Sequence, residues 1–184
     1  MKNLFSILKL TLLMVVLLAI IYPMAVFGIA QFAMNKGKGE TISVNGKVVG
    51  YKKIGQKFNK SNYFWGRPSA VDYNAAGSGG SNKGASNTEY LALVQKRIDT
   101  FLIGHPYLNK GEIPADMVTA SGSGLDPDIT PQAALIQVKR VAEVRKLSED
   151  KVKALVESKI NVPAIMGTAK VNVLELNIAL DELK

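Results

Sequence analysis

His105 is the only histidine in the 184-residue chain, so a Ser-His-Asp arrangement would have to use it as the base. It stands between Gly104, which closes a helical stretch, and Pro106, and no nucleophile-elbow pattern accompanies it. The position reads as a loop residue at a helix end. The chain has no cysteine, which removes disulfides, thiolate metal sites and a cysteine nucleophile together. With a single histidine a zinc site also lacks ligands. Asp126-Pro127-Asp128 pairs two carboxylates but lacks the further acidic positions and the glycine of a calcium loop. Asp128 reads instead as a negative charge near the positive start of a helix beginning at Pro131.

Two further stretches have residue types suited to binding. The glycine-rich run from Gly77 to Gly84, with Gly79, Gly80 and Ser81 at its centre, could cradle a phosphate through backbone N–H groups. It does not fit the G-x-x-x-x-G-K-[ST] pattern, because Asn82 stands before Lys83, and no apolar strand leads into it. A structural loop is the plainer reading, as it is for Ser121-Gly122-Ser123-Gly124. Tyr63-Phe64-Trp65 with Arg67 could stack nucleic-acid bases. Scattered lysines on a membrane-tethered chain argue against nucleic acid, whereas Trp, Tyr and Arg are typical anchors of cores and protein interfaces.

The elements that must position these residues begin with a membrane segment. Leu10 to Asn35 carries no charged residue, and Lys9 and Lys36 bracket it. About 20 apolar residues suffice to cross the hydrocarbon core. Leu12 to Leu18 is apolar all round, which suits lipid. Pro23 lies inside as an expected kink, tolerable beside neighbouring helices. Ala25, Gly28 and Ala30 are small and would let another helix approach closely. The rival reading is a cleaved signal peptide, with Gly28-Ile29-Ala30 as a small-residue cleavage site, which would make the chain an exported soluble binding protein. The apolar run continues past that site through Phe32 and Met34, which favours a retained helix.

Residues 36–184 then form one extramembrane domain, residues 1–9 a short tail and residues 10–35 the span. Ile42 and Val44 alternate before Asn45-Gly46, which predicts a β-hairpin with a type I′ turn. Ser86 and Glu89 predict a capping box, followed by a helix burying Leu91, Val94, Ile98, Phe101 and Leu102. A second helix is expected behind the cap Thr130, with Leu135, Val138, Val141 and Ala142 inward. A third runs from about Ser148 to Ile160, and a last one follows Asn172. The fold class is α+β: one N-terminal transmembrane helix, then a small domain with a hairpin or small sheet and about four helices. The formal net charge is +8, of which +6 lies beyond Lys2 and Lys9. That excess suits a solvated surface, anionic headgroups or an acidic partner.

The motifs add up to a resemblance that covers nearly the whole chain in order. Tyr22-Pro23, Gly55-Gln56-Lys57-Phe58, Tyr63-Phe64-Trp65-Gly66-Arg67-Pro68-Ser69-Ala70, Tyr73-Asn74 and Gly79-Gly80-Ser81-Asn82 carry its first half. Ser86-Asn87, the stretch Val118 to Asp126, Gln137 to Ala142 and Val171 to Asn177 carry the second. The chain resembles the C subunit of the Kdp-type potassium-transporting ATPase of bacteria and archaea. Gly122 stands where that family often has alanine, and His105-Pro106 where it often has Asn-Pro.

The resemblance implies a non-catalytic subunit of an ATP-driven high-affinity potassium uptake pump. Its partners would be a potassium-binding, channel-like subunit and a P-type ATPase subunit, and its role assembly and stability. It also implies a proposed rise in ATP affinity through a glycine loop and a glutamine, for which Gly79, Gly80, Ser81 and Gln137 are the candidates. No cofactor is expected to bind tightly, and any ATP contact would be shared with the ATPase subunit. Pro23, Ala25, Gly28, Trp65 and Arg67 are the candidate partner contacts. The family topology puts the N-terminus in the cytoplasm and the domain on the outer side of the cell (inner) membrane. Lys36, Lys38, Lys47, Lys52 and Lys53 would by the positive-inside rule favour the opposite, but large domains are translocated regardless of flanking charge.

Overall fold

A computed structural model describes residues 2–183, and the chain divides into two compact units, residues 1–41 and 42–184. In the first unit, helix α1 (Lys2–Val16) passes through one π-helical turn, Leu17–Ile21, into α2 (Tyr22–Ala30). The wide turn has its cause in Pro23. In a regular helix the proline ring clashes with the carbonyl four residues back and returns no N–H. Here the turn before it is opened by one residue, so that the Tyr22 N–H donates to Leu17 O, and the helix runs on unbroken. Asn3–Ala30 is long and apolar enough to cross a membrane. Its 28 residues rise roughly 42 Å, more than the ~30 Å hydrocarbon core.

The second unit is α+β. Strands β1 (Thr41–Val44) and β2 (Lys47–Tyr51) form the expected hairpin, with Asn45 and Gly46 both at positive φ as a type I′ turn requires. The first long helix of the domain is α3 (Thr88–Gly104). Its cap is Asn87, whose side chain accepts from Tyr90 N, and not the predicted Ser86; Glu89 is turned to Lys83 instead. The predicted stripe of α3 is only partly covered: Phe101 is buried, but Leu91 is 52% exposed.

The rest of the core is built from the C-terminal half. Helix α4 (Pro131–Leu135), capped by Thr130, is followed after Ile136 and Gln137 by α5 (Val138–Arg145), so the single helix expected there is two pieces. Helix α6 (Glu149–Ser158), capped by Ser148, and α7 (Val173–Glu182), capped by Asn172, pack against them and each other. A three-stranded antiparallel sheet that the sequence did not predict lies among these helices. Its strands are β3 (Asp128–Ile129), β4 (Ile160–Asn161) and β5 (Lys170–Asn172), in the order β3-β5-β4. Ile129 and Ile160 both face Val171 in register. Strand β5 turns directly into α7, because Asn172 both pairs with Asp128 and caps the helix at Glu175 N. Phe64, Val141, Val152, Val156, Val171, Leu176 and Leu180 are wholly shielded from solvent. Their burial supplies roughly 1.5–3 kcal/mol each, set against ordering entropy.

Candidate functional site

Phe64 belongs to no helix or strand, yet it is completely buried. Residues 60–65 form an irregular strap running into the core, and buried backbone groups need partners. Side chains supply them one after another. Lys60 O accepts from Trp65 Nε1 at 2.9 Å, and Asn62 O from Arg145 Nε at 2.7 Å. Ser61 O and Tyr63 O both accept from Arg140 Nη1, the latter at 3.0 Å. Asn177 grips Phe64 with both ends of its amide: the Phe64 N–H donates to Oδ1 at 2.8 Å, and Nδ2 donates to Phe64 O at 3.0 Å. Gln137 does the same for Trp65, at 2.8 and 3.2 Å. Two buried amides thus stand in for a neighbouring strand.

Arg140 is the centre of this network. It is 4% exposed and lies over the Trp65 ring, 4.3 Å from its centroid. Nη2 donates to Gln137 Oε1 and Nε to His105 Nε2, both at 2.8 Å. Its charge is therefore held by neutral acceptors and aromatic faces. Burial pulls its pKa down to about 10. His105 is wholly buried, stacked on Phe101 at 4.0 Å between centroids. Its Nδ1 lies 2.8 Å from Phe101 O, so the proton sits on Nδ1 and Nε2 accepts from Arg140. Burial is the main force lowering its pKa to about 4, the Phe101 carbonyl pulls the other way, and Arg140 adds to the depression. His105 does end a helix, as its sequence position suggested, but inside the core. Gly104 before it is required by Trp65: a Cβ there would stand 2.6 Å from the indole.

Beyond the strap, Arg67 pairs with Asp126 at 2.9 Å, and the Tyr73 hydroxyl donates to Arg67 O. Burial raises the Tyr73 pKa to about 12, with the Asp126 carboxylate assisting. Trp65, Arg67, Phe58, Arg97 and Phe101 line a cleft of about 440 Å³. Among the described residues, Arg67 Nε is the one buried side-chain nitrogen or oxygen without a hydrogen-bond partner. Asp128 is held by Lys170 at 2.6 Å across the sheet rather than by the start of α4; the residue that meets Thr130 N is Asp116, at 2.8 Å.

The nucleotide candidates fall in different surroundings. Gln137 is wholly buried, with Oε1 accepting from Trp65 N and Arg140, and Nε2 donating to Trp65 O and Ala133 O. All four of its hydrogen-bonding positions are filled by the protein. Gly79, Gly80 and Ser81 are half-exposed and lie against the second glycine run. The Gly79 N–H donates to Ser123 O at 2.9 Å, and a Cβ on Gly80 would come within 3.1 Å of Gly122 O. Pro23, Ala25 and Gly28 belong to the first unit, where a Cβ on Gly28 would meet nothing within 4 Å. Among the described residues no three His, Asp or Glu side chains converge as a metal would need.

The strap that the fold fixes so heavily coincides with the densest motif of the sequence, and the likeness to known proteins extends over the whole chain. Residues 4–182 match the family described as K+-transporting ATPase, c chain. The chain belongs to the KdpC family. It is 83% identical to the potassium-transporting ATPase KdpC subunit of Flavobacterium psychrophilum and 74% identical to that of Flavobacterium johnsoniae, each over the full length of both chains. Against the KdpC subunit of Bacteroides thetaiotaomicron the identity is 53%, again over the whole of both. As a KdpC chain it is a subunit of a potassium-transporting ATPase complex, with one helix suited to the membrane.

Proposed function

We propose that this chain is a non-catalytic accessory subunit of the pump, anchored by Asn3–Ala30, that stabilises the assembly of the channel-like and ATPase subunits. The observation that carries the reading is the family match from residue 4 to residue 182. The side chains of the domain support it. His105, Arg140, Gln137 and Asn177 are spent on holding the strap, so the groups best suited to chemistry are occupied with structure. A contact with ATP lies outside this proposal: ATP is cytosolic, the domain is proposed on the outer side of the membrane, and Gln137 has its polar atoms engaged inside.

The assembly role is tested at the helix. Gly28→Leu keeps the segment apolar but adds bulk on the side that carries Ala25. The variant should still reach the membrane and yet lose association with the other two subunits in detergent pull-downs. Undiminished co-purification would remove Ala25 and Gly28 from the interface and leave assembly to the domain.

The proposed topology has the N-terminus in the cytoplasm and the domain on the outer side of the inner membrane. Protease added to cells with a permeabilised outer envelope should then digest the domain. Protection until the inner membrane is opened would reverse the orientation while leaving the span in place.

A further inference from the structure

Strands β4 and β5 are joined by residues 162–169, a loop closed at its base by the Asn161–Lys170 pair. The loop reads Val-Pro-Ala-Ile-Met-Gly-Thr-Ala and contains no charged residue, in a chain of which 21% is charged. Its large side chains point away from the core: Ile165 is 94% exposed, Met166 84% and Val162 69%. The loop has a defined bend, with Gly167 at φ +121° packed close to the Pro163 ring. An apolar tip this exposed on a soluble surface marks an interaction site.

Charge says with what. Lys52, Lys53, Lys159 and Lys170 line one cavity of about 420 Å³ beside Asn161, at the base of the loop. Two carboxylates answer them: Asp128, paired with Lys170, and Glu175, paired with Lys52. The base of the loop therefore carries a net positive charge beneath an uncharged, greasy tip. That is the arrangement of an interfacial membrane anchor, with apolar residues among the acyl chains and lysines at anionic headgroups. Reach is no obstacle. Residues 31–40 separate α2 from β1, and ten residues span at most about 36 Å, so the domain stays near the bilayer that holds the helix.

We infer that the 162–169 loop is a second membrane contact, inserting Val162, Ile165 and Met166 into the interface of an anionic bilayer. The inference presupposes that Asn3–Ala30 spans that bilayer. The chain has no cysteine, so Ile165→Cys gives a unique site for an environment-sensitive fluorophore. The labelled full-length chain is reconstituted into vesicles of phosphatidylcholine with or without phosphatidylglycerol, each with and without a nitroxide-bearing lipid.

Insertion predicts a blue-shifted emission that the nitroxide lipid quenches when phosphatidylglycerol is present. Lys53→Glu combined with Lys159→Glu should abolish the gain from the anionic lipid. A label that stays in water and escapes quenching in both lipids, while the chain resists carbonate extraction, overturns the loop contact and leaves the anchor intact. Shielding that appears only when the other pump subunits are co-reconstituted also overturns it, in favour of a protein interface. Release of the chain by carbonate overturns both the anchor and the loop contact that depends on it.

Discussion

Arg140→Met should lower the unfolding midpoint of the domain by about 10 °C, a loss of roughly 3–5 kcal/mol. The replacement has one favourable effect, since it withdraws a charge that burial already disfavours. Against that, it strands His105 Nε2 and one bond to Gln137 inside the core, and takes the donor from Ser61 O and Tyr63 O at its part-buried edge. An unsatisfied buried acceptor costs about 1–3 kcal/mol, so several together outweigh the desolvation relieved. Arg140→Lys should recover only part of the loss, because one ammonium cannot serve acceptors that a planar guanidinium reaches from three nitrogens. Trp65, the sole tryptophan, sits under the guanidinium and reports the transition by its fluorescence in the full-length chain. A midpoint within about 2 °C of wild type would mean that the strap finds other donors.

The second large effect is on acid stability. His105 has an ordinary pKa of about 6.5 when unfolded and about 4 in the folded domain, where burial and Arg140 disfavour its charged form. Above pH 6.5 both states are neutral there and the full stability is present. As pH falls from about 6.5 toward 4, the unfolded chain takes up a proton that the folded one refuses, and stability drops, by up to about 3 kcal/mol from this residue. Once the folded state is protonated as well, the loss levels off. The groups near the imidazole are Arg140, which cannot help by losing charge in this range, and Tyr107, whose pKa burial raises. His105→Asn keeps a donor and an acceptor without a titrating proton. Denaturant midpoints between pH 7 and pH 4 should then be flatter for the variant than for wild type. Parallel curves would place the acid sensitivity elsewhere.

Much of the frame was legible because its signals are local. Thr130, Ser148 and Asn172 cap their helices, Asn45-Gly46 makes its turn, and the uncharged run from Leu10 sits in a helix fit for a membrane as far as Ala30, its last five residues lying beyond the helix. The misses share a physical cause. Strands of two or three residues show no alternation, so the β3-β5-β4 sheet leaves no period to detect. Asn87 follows Ser86, and both are good caps; only the three-dimensional course of the chain chooses between them. Gln137 and Arg140 are polar types that composition assigns to the surface, and His105 looks like a helix-end loop residue. All three are drawn inward by a strap whose carbonyls lie 72 or more residues from Gln137 and 77 or more from Arg140. The nearest available hint was the Tyr63–Pro68 motif itself: an aromatic run without helical or strand periodicity that must be buried needs polar side chains brought from elsewhere.

The clasp between Phe64 and Asn177 joins residues 113 apart, and Tyr63 reaches Asp181 across 118. The two ends of the domain therefore meet only when the chain is nearly finished. Until α7 has emerged, the strap lacks the amide that grips Phe64 and the core lacks Leu176 and Leu180. A nascent chain in this condition lacks the contacts of longest sequence separation, whose loop-closure entropy is still unpaid, and its core is still open. On the proposed topology, in which the domain follows its anchor across the membrane, this order of events is an advantage: the two ends of the domain close on each other only when α7 is delivered.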